Sequence, residues 1–173
     1  MHLGGKAATD TERPDPAGEV HELVHALHSG DILRRLEAIS RAGSLGSPAI
    51  GPLHRVLNEG DASASWGAAL ALVRVGTPAL DCLIATFSSA APGSVPAMWA
   101  AGKIGDARSV AALAGVLAES PEEVHRVVAA SALRAIGHPA GCACVEEALG
   151  AHDAHFARSL ATISWFRGDR RYC

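Results

Sequence analysis

A short turn that recurs at a nearly constant spacing is the strongest constraint on this chain. Leu45-Gly46-Ser47-Pro48, Val75-Gly76-Thr77-Pro78, Ile104-Gly105-Asp106-Ala107 and Ile136-Gly137-His138-Pro139 place their glycines 30, 29 and 32 residues apart. Ala-rich runs with Leu, Val or Ile at helical spacing flank the turns. The pattern predicts a helix ended by glycine at positive φ and a second helix opened by Ser, Thr or Asp, with Pro at its first position; only His138 is a weak cap. Trp99 to Ser120 shows the unit most plainly, as one helix hairpin. A helix pair repeating at about 30 residues signals an α-solenoid, whose units bury their apolar faces only by stacking. The expected fold is therefore all-α: about four hairpins with a partial repeat at each end.

Composition agrees with close-packed helices. Of the 173 residues 49% are hydrophobic and only 4% aromatic, so the core is built from Ala, Leu, Val and Ile. That length suits one domain. A net charge of −3 gives no reason to expect nucleic acid, which needs a dense basic surface. Charge is uneven at the ends: residues 1–22 hold five acids and two bases, residues 154–173 four arginines and one Asp. Cys82, Cys142, Cys144 and Cys173 lack the density and spacing of a disulfide framework, so a reduced compartment is expected. With no signal-peptide core and no run near the ~18 apolar residues that span a bilayer, the expectation is a soluble, cytoplasmic chain without membrane contact.

Taken in order, residues 1–18 read as a flexible N-terminal tail, 19–166 as the repeat domain and 167–173 as a C-terminal tail. Glu19 to Ser29 sets Val20, Leu23, Ala26 and Leu27 on one stripe and His21, Glu22, His25 and His28 on the other, as the second helix of a truncated repeat closed by Gly30. Hairpins follow over 31–60, 61–91, 92–120 and 121–152. The first turns Ile32, Leu33, Leu36, Ile39 and Ala42 inward, and the last opens on Pro121-Glu122-Glu123 with Pro at the first helical position. A single helix from Asp153 to about Phe166 caps the stack.

The runs Val127-Val-Ala-Ala-Ser-Ala-Leu-Arg-Ala-Ile-Gly137 and Trp99-Ala-Ala-Gly-Lys-Ile-Gly-Asp106 resemble the Ala-Ala-x-Ala-Leu-Gly-x-Ile-Gly-Asp pattern of short HEAT repeats of the phycobilisome-lyase type. The resemblance covers residues 19–166 and speaks to fold more than to function, because such repeats serve many roles. It implies that the second helices line a concave groove. Aligned across the repeats, their outward columns read His25, Arg55, Ala85, Gly115, Glu147; His21, Gly51, Asp81, Ala111, Ala143; Glu22, Pro52, Cys82, Ala112, Cys144; and His28, Asn58, Ser88, Ala118, Gly150. The N-terminal end is histidine-rich and the middle is lined by small residues, so a partner backbone or helix can approach closely; an Ala-rich composition alone produces the same smoothness. The expected function is a scaffold or adaptor binding a protein or peptide along this groove, with His21, His25, Arg55, Asp81 and Glu147 orienting it.

Competing chemistry centres on His21-Glu22-Leu23-Val24-His25, which matches the zinc-protease pattern H-E-x-x-H. A catalytic zinc needs a third ligand. His28 lies about 10 Å along the axis from His21, too far to share one ion with both, and Arg55 aligns where a ligand should be. The stretch reads as a polar helix face, with a metal-dependent enzyme using zinc or iron at His21 and His25 as the alternative. Deoxyhypusine hydroxylase, a HEAT-like di-iron enzyme, implies His-Glu pairs at Leu36-Glu37, Trp66-Gly67, Val95-Pro96 and Val127-Val128, where none stands. HEAT-like DNA glycosylases imply a basic concave face, and only Arg55 is basic in the four columns. A phycobilin-lyase-like chaperone or lyase subunit fits the repeat type without any residue to identify a bilin site. Cys142-Ala-Cys144 has the wrong spacing for redox or zinc-ribbon chemistry, and Arg167-Gly168-Asp169 is a coincidence of spelling. Trp99, aligned with Leu70 and Ser131, reads as packing between repeats, with a contact on the outer face as the alternative.

Overall fold

The computed structural model describes residues 15–151 and 154–164. Its described residues are all-helical: α1 (Pro16–Leu27), α2 (Ile32–Leu45), α3 (Ile50–Glu59), α4 (Ala62–Val75), α5 (Leu80–Ser88), α6 (Ser94–Ile104), α7 (Val110–Glu119), α8 (Glu123–Ile136), α9 (Pro139–Ala151) and α10 (Ala154–Ser164). Residues 1–14 of the expected N-terminal tail and all of 167–173 lie outside the described residues, as do Trp165, Cys173 and the Arg-Gly-Asp tripeptide. None of the described helices is long and apolar enough to cross a membrane.

The turn glycines behave as their spacing predicts. Gly46, Gly76, Gly105 and Gly137 have φ of 61°, 81°, 77° and 68°, and each N–H bonds back to the last turn of the preceding helix. A side chain is strained in that region. The caps differ from expectation. Ser47 and Thr77 make no capping bond; they open short 3-10 turns, Ser47–Ala49 and Thr77–Ala79, that lead into α3 and α5. Asp106 does cap, accepting from the N–H of Arg108 at 2.9 Å, and His138 accepts from Ala140 N–H through Nδ1 at 3.3 Å. Asp31 and Asp61 cap α2 and α4, accepting from Leu33 N–H at 2.9 Å and Ala64 N–H at 2.8 Å. Helix α1 begins at Pro16, inside the expected tail, because Asp15 caps it and Pro16 takes the first position. It ends at Leu27, short of Gly30. Pro121 stays outside α8, which starts at Glu123.

Packing sorts the helices into two layers. Helices α2, α4, α6, α8 and α10 lie each against the next, and α1, α3, α5, α7 and α9 do the same more loosely. The hairpin partners also differ from expectation. Side-by-side packing joins α1 to α2, α3 to α4, α5 to α6 and α7 to α8, across the junctions between the expected units rather than across the turns at Gly46, Gly76 and Gly105; at Gly137 the expected partners, α8 and α9, do pack together. Gly60-Asp61 is a two-residue link that brings α4 back along α3, whereas the turns at Gly46, Gly76 and Gly105 each insert a 3-10 segment before the next helix, and the Gly137 turn leads directly into α9.

One continuous core runs between the layers, from Leu23 and Leu27 through Leu53, Leu57, Leu72, Leu80, Leu83, Met98 and Leu113 to Leu133, Val145 and Leu160. On α2 the expected inward set is only partly right. Ile39 and Ala42 are buried with Ala38, but Ile32, Leu33 and Leu36 are 61, 73 and 54% exposed. The reason is position in the stack: α2 packs on α1 and α4, and among the described residues no helix covers its other flank. A part-buried polar link ties two of the odd helices together. Thr86 donates to the carbonyl of Cys82 at 2.9 Å, so it accepts from His54 Nε2–H at 2.9 Å, joining α3 to α5.

Candidate functional site

Charge follows the layers. The even-numbered helices carry eight arginines and lysines against two glutamates, and the odd-numbered helices one arginine, Arg55, against seven acids. A chain of net charge −3 is therefore strongly polarised, basic on one layer and acidic on the other. Where the layers meet, opposite charges pair: Arg41 of α2 lies 3.3 Å from Glu19 of α1.

The residues expected along the groove lie on the odd helices and are all exposed. His21 and Arg55 come together on a cleft of about 610 Å³ between α1 and α3, walled by Val20, Val24, Pro48 and Pro52. His25, Asp81 and Glu147 stand outside that cleft. Asp81, in the first turn of α5, faces Arg108 at 3.6 Å, and Arg108 is also held by Asp106 at 3.2 Å. The Arg108 side chain and backbone keep the Asp106 carboxyl below its usual range. Further along, the small residues Ala112 and Gly115 border a second cleft, of about 380 Å³, with Phe87 and Val116.

The metal reading finds no further ligand here. His21 and His25 are exposed on one helix face, Arg55 shares the cleft with His21, and among the described residues no group of three or more His, Cys, Asp or Glu is placed to hold an ion. Cys82 is a free thiol donating to the Ala79 carbonyl, and burial pushes its pKa up to about 11, which keeps it protonated and poorly nucleophilic. Cys144 is also free. Cys142, against the expectation of a reduced compartment, is disulfide-bonded.

Sequence reasoning missed a site on the even layer. Trp66 of α4 and Trp99 of α6 meet edge to face, centroids 5.6 Å apart and planes at 73°, and Lys103 Nζ lies 5.6 Å from the Trp99 ring centroid. The pair does pack between repeats, yet Trp66 remains 40% exposed. With Val95, Val124 and Val128 the two rings enclose an almost wholly apolar cleft of about 300 Å³ spanning α4, α6 and α8. Leu36 precedes Trp66 by the repeat spacing, and Val95 follows it. The apolar row thus extends over four helices. Val124 is half exposed beside it. That spacing was available in the sequence; what hid the row was turning Ile32, Leu33 and Leu36 inward while treating Trp99 by itself as packing, with an outer-face contact only as the alternative.

Comparison with protein-family models and with curated proteins finds no match to this chain.

Proposed function

We propose that the chain is a HEAT-like α-solenoid acting as a scaffold or adaptor, which binds a protein or peptide segment along the face made by α1, α3, α5, α7 and α9. The observation that supports this reading is the cleft of about 610 Å³ at the α1 end, apolar on its walls and bordered by His21 and Arg55. Such a cleft takes an apolar anchor side chain, and the one arginine of the odd helices sets its direction. Beyond α3 the helices of this face carry acids, Asp81 on α5 with Arg108 at 3.6 Å and Glu147 on α9, and the face is smooth where Ala112 and Gly115 line the second cleft. The partner is therefore a segment with an apolar anchor at one end and basic residues along the rest, its backbone close to the small side chains.

A display library of random 16-residue peptides, selected on the untagged protein, tests this. Expected winners combine Leu, Ile, Phe or Trp with Lys and Arg, and lose at least about tenfold in affinity on Asp81→Lys or Arg55→Glu, as charge reversal at an exposed contact costs about 1.4 kcal/mol or more. Winners that bind both variants as well as wild type would rule the groove out.

A further inference from the structure

The even layer has an apolar row that nothing covers among the described residues, and its charge says what belongs there. Ile32, Leu33, Leu36, Trp66, Leu70 and Val124 are all more than a third exposed, and every one of them is on α2, α4 or α8. These are all the large exposed hydrophobics of the described residues, gathered on one layer rather than scattered. Beside them stand two cations, Arg74 in the last turn of α4 and Lys103 in the last turn of α6, both exposed, while Arg34 lies with Glu19, Glu22 and Glu37 on the cleft between α1 and α2. Arg74 and Lys103 occupy the same repeat position, two residues before Gly76 and Gly105. An apolar row and a pair of cations on α4 and α6 therefore share the layer, with the Trp66–Trp99 cleft recessed between α4, α6 and α8.

We propose that this face is a second docking site, whose occupant is an acidic amphipathic segment of a partner protein. It lays its apolar side chains along Leu36, Trp66 and Val95, puts one of them into the cleft, and sets its carboxylates over Arg74 and Lys103. The cleft decides between partner classes. A recess of about 300 Å³ bounded by two indole rings accepts one bulky side chain at a fixed place, which a peptide supplies and a fluid lipid surface does not. The charge decides the sign: the groove proposed on the odd helices takes a basic segment, this face an acidic one. The two sites lie on opposite layers and stand or fall independently.

The test uses the same peptide library on the full chain, with Lys103→Glu protein as competitor in solution so that only peptides needing this face survive. Expected winners carry Asp or Glu alternating at helical spacing with Leu, Phe or Trp. As labelled synthetic peptides they bind with an affinity that falls as salt rises, and at least about tenfold on Lys103→Glu or Trp66→Ser. Arg55→Glu and Asp81→Lys leave that affinity unchanged, which separates this site from the groove. Lys103 is exposed, so its variant keeps the test valid should Trp66→Ser lower stability. Four results overturn the proposal. One is a library yielding no acidic winners, and another is winners indifferent to Lys103→Glu. A third is binding of the protein to phosphatidylglycerol vesicles, lost on Lys103→Glu, in place of peptide binding. The last is sedimentation as an oligomer that Lys103→Glu dissolves, which would make the occupant the acidic layer of a second copy.

Discussion

Replacing Gly102 by Ala examines the spacing of the even layer directly. A Cβ built on Gly102 falls 2.9 Å from both Cα and Cβ of Ala132 and 3.4 Å from its carbonyl oxygen. Carbon atoms in comfortable contact stand roughly 3.5–4.0 Å apart, so α6 and α8 must separate by several tenths of an ångström. Overpacking costs about 1–3 kcal/mol, and a contact this short against backbone belongs to the upper part of that range, about 2–3 kcal/mol; the better helix propensity of Ala returns about 1 kcal/mol. The net loss is about 1–2 kcal/mol, or roughly 3–6 °C in Tm for a chain of this size. Gly115 provides the contrast: it sits inside α7 with nothing within 4 Å of its would-be Cβ. There the same substitution should raise stability by about 0.5–1 kcal/mol. Thermal melts followed by circular dichroism measure both. Adding Ala132→Gly to Gly102→Ala should recover part of the loss, with a coupling of about 0.5 kcal/mol or more. If Gly102→Ala melts at or above wild type, the close approach of α6 and α8 is wrong.

Two further outcomes are expected. Because Arg108 lowers the Asp106 carboxyl from its ordinary 3.8, that ion pair contributes stability above about pH 4, and the contribution is lost as pH falls through the depressed value; in a carboxyl-resolved NMR titration, Arg108→Ala should return Asp106 toward its ordinary midpoint, and an unchanged midpoint would remove Arg108 as the cause. Protein purified without a histidine tag or chelator should hold far less than one equivalent of zinc or iron, since His21 shares its cleft with a cation, Arg55, and the His21–His25 pair has no third donor among the described residues; about one equivalent, lost on His21→Ala, would reopen the metal reading.

Much of the helix order was legible because backbone chemistry repeats in the sequence. A glycine followed by Ser, Thr, Asp or His marks four helix ends, and all four glycines take positive φ. The Asp15-Pro16 start of α1 was equally readable, as cap and first-turn proline, but was absorbed into a tail judged by composition. Three things were not legible. Which helices pack side by side depends on how far a 3-10 turn offsets the next helix, and that follows from geometry rather than residue type. Exposure of Ile32, Leu33 and Leu36 depends on α2 having a neighbour on one flank only among the described residues. The disulfide at Cys142 has no spacing signal at all.

The division of charge was present in the sequence and invisible in its sum. A net charge of −3 describes this chain poorly, since bases concentrate on alternate helices and acids on those between. In a two-layer arrangement, alternation along the chain becomes separation in space, so each face has a field that the total conceals. Within the fold the separation yields modest pairs such as Arg41 with Glu19, about half exposed on the arginine side, and exposed pairs contribute little. Stability alone therefore gives weak reason for it. Recognition gives a stronger one: like charges gathered on a face repel the wrong partner and raise the encounter rate of the right one. Under the two proposals, faces of opposite sign, each with an apolar recess, would let the molecule hold two chemically distinct segments at once, which is what an adaptor requires.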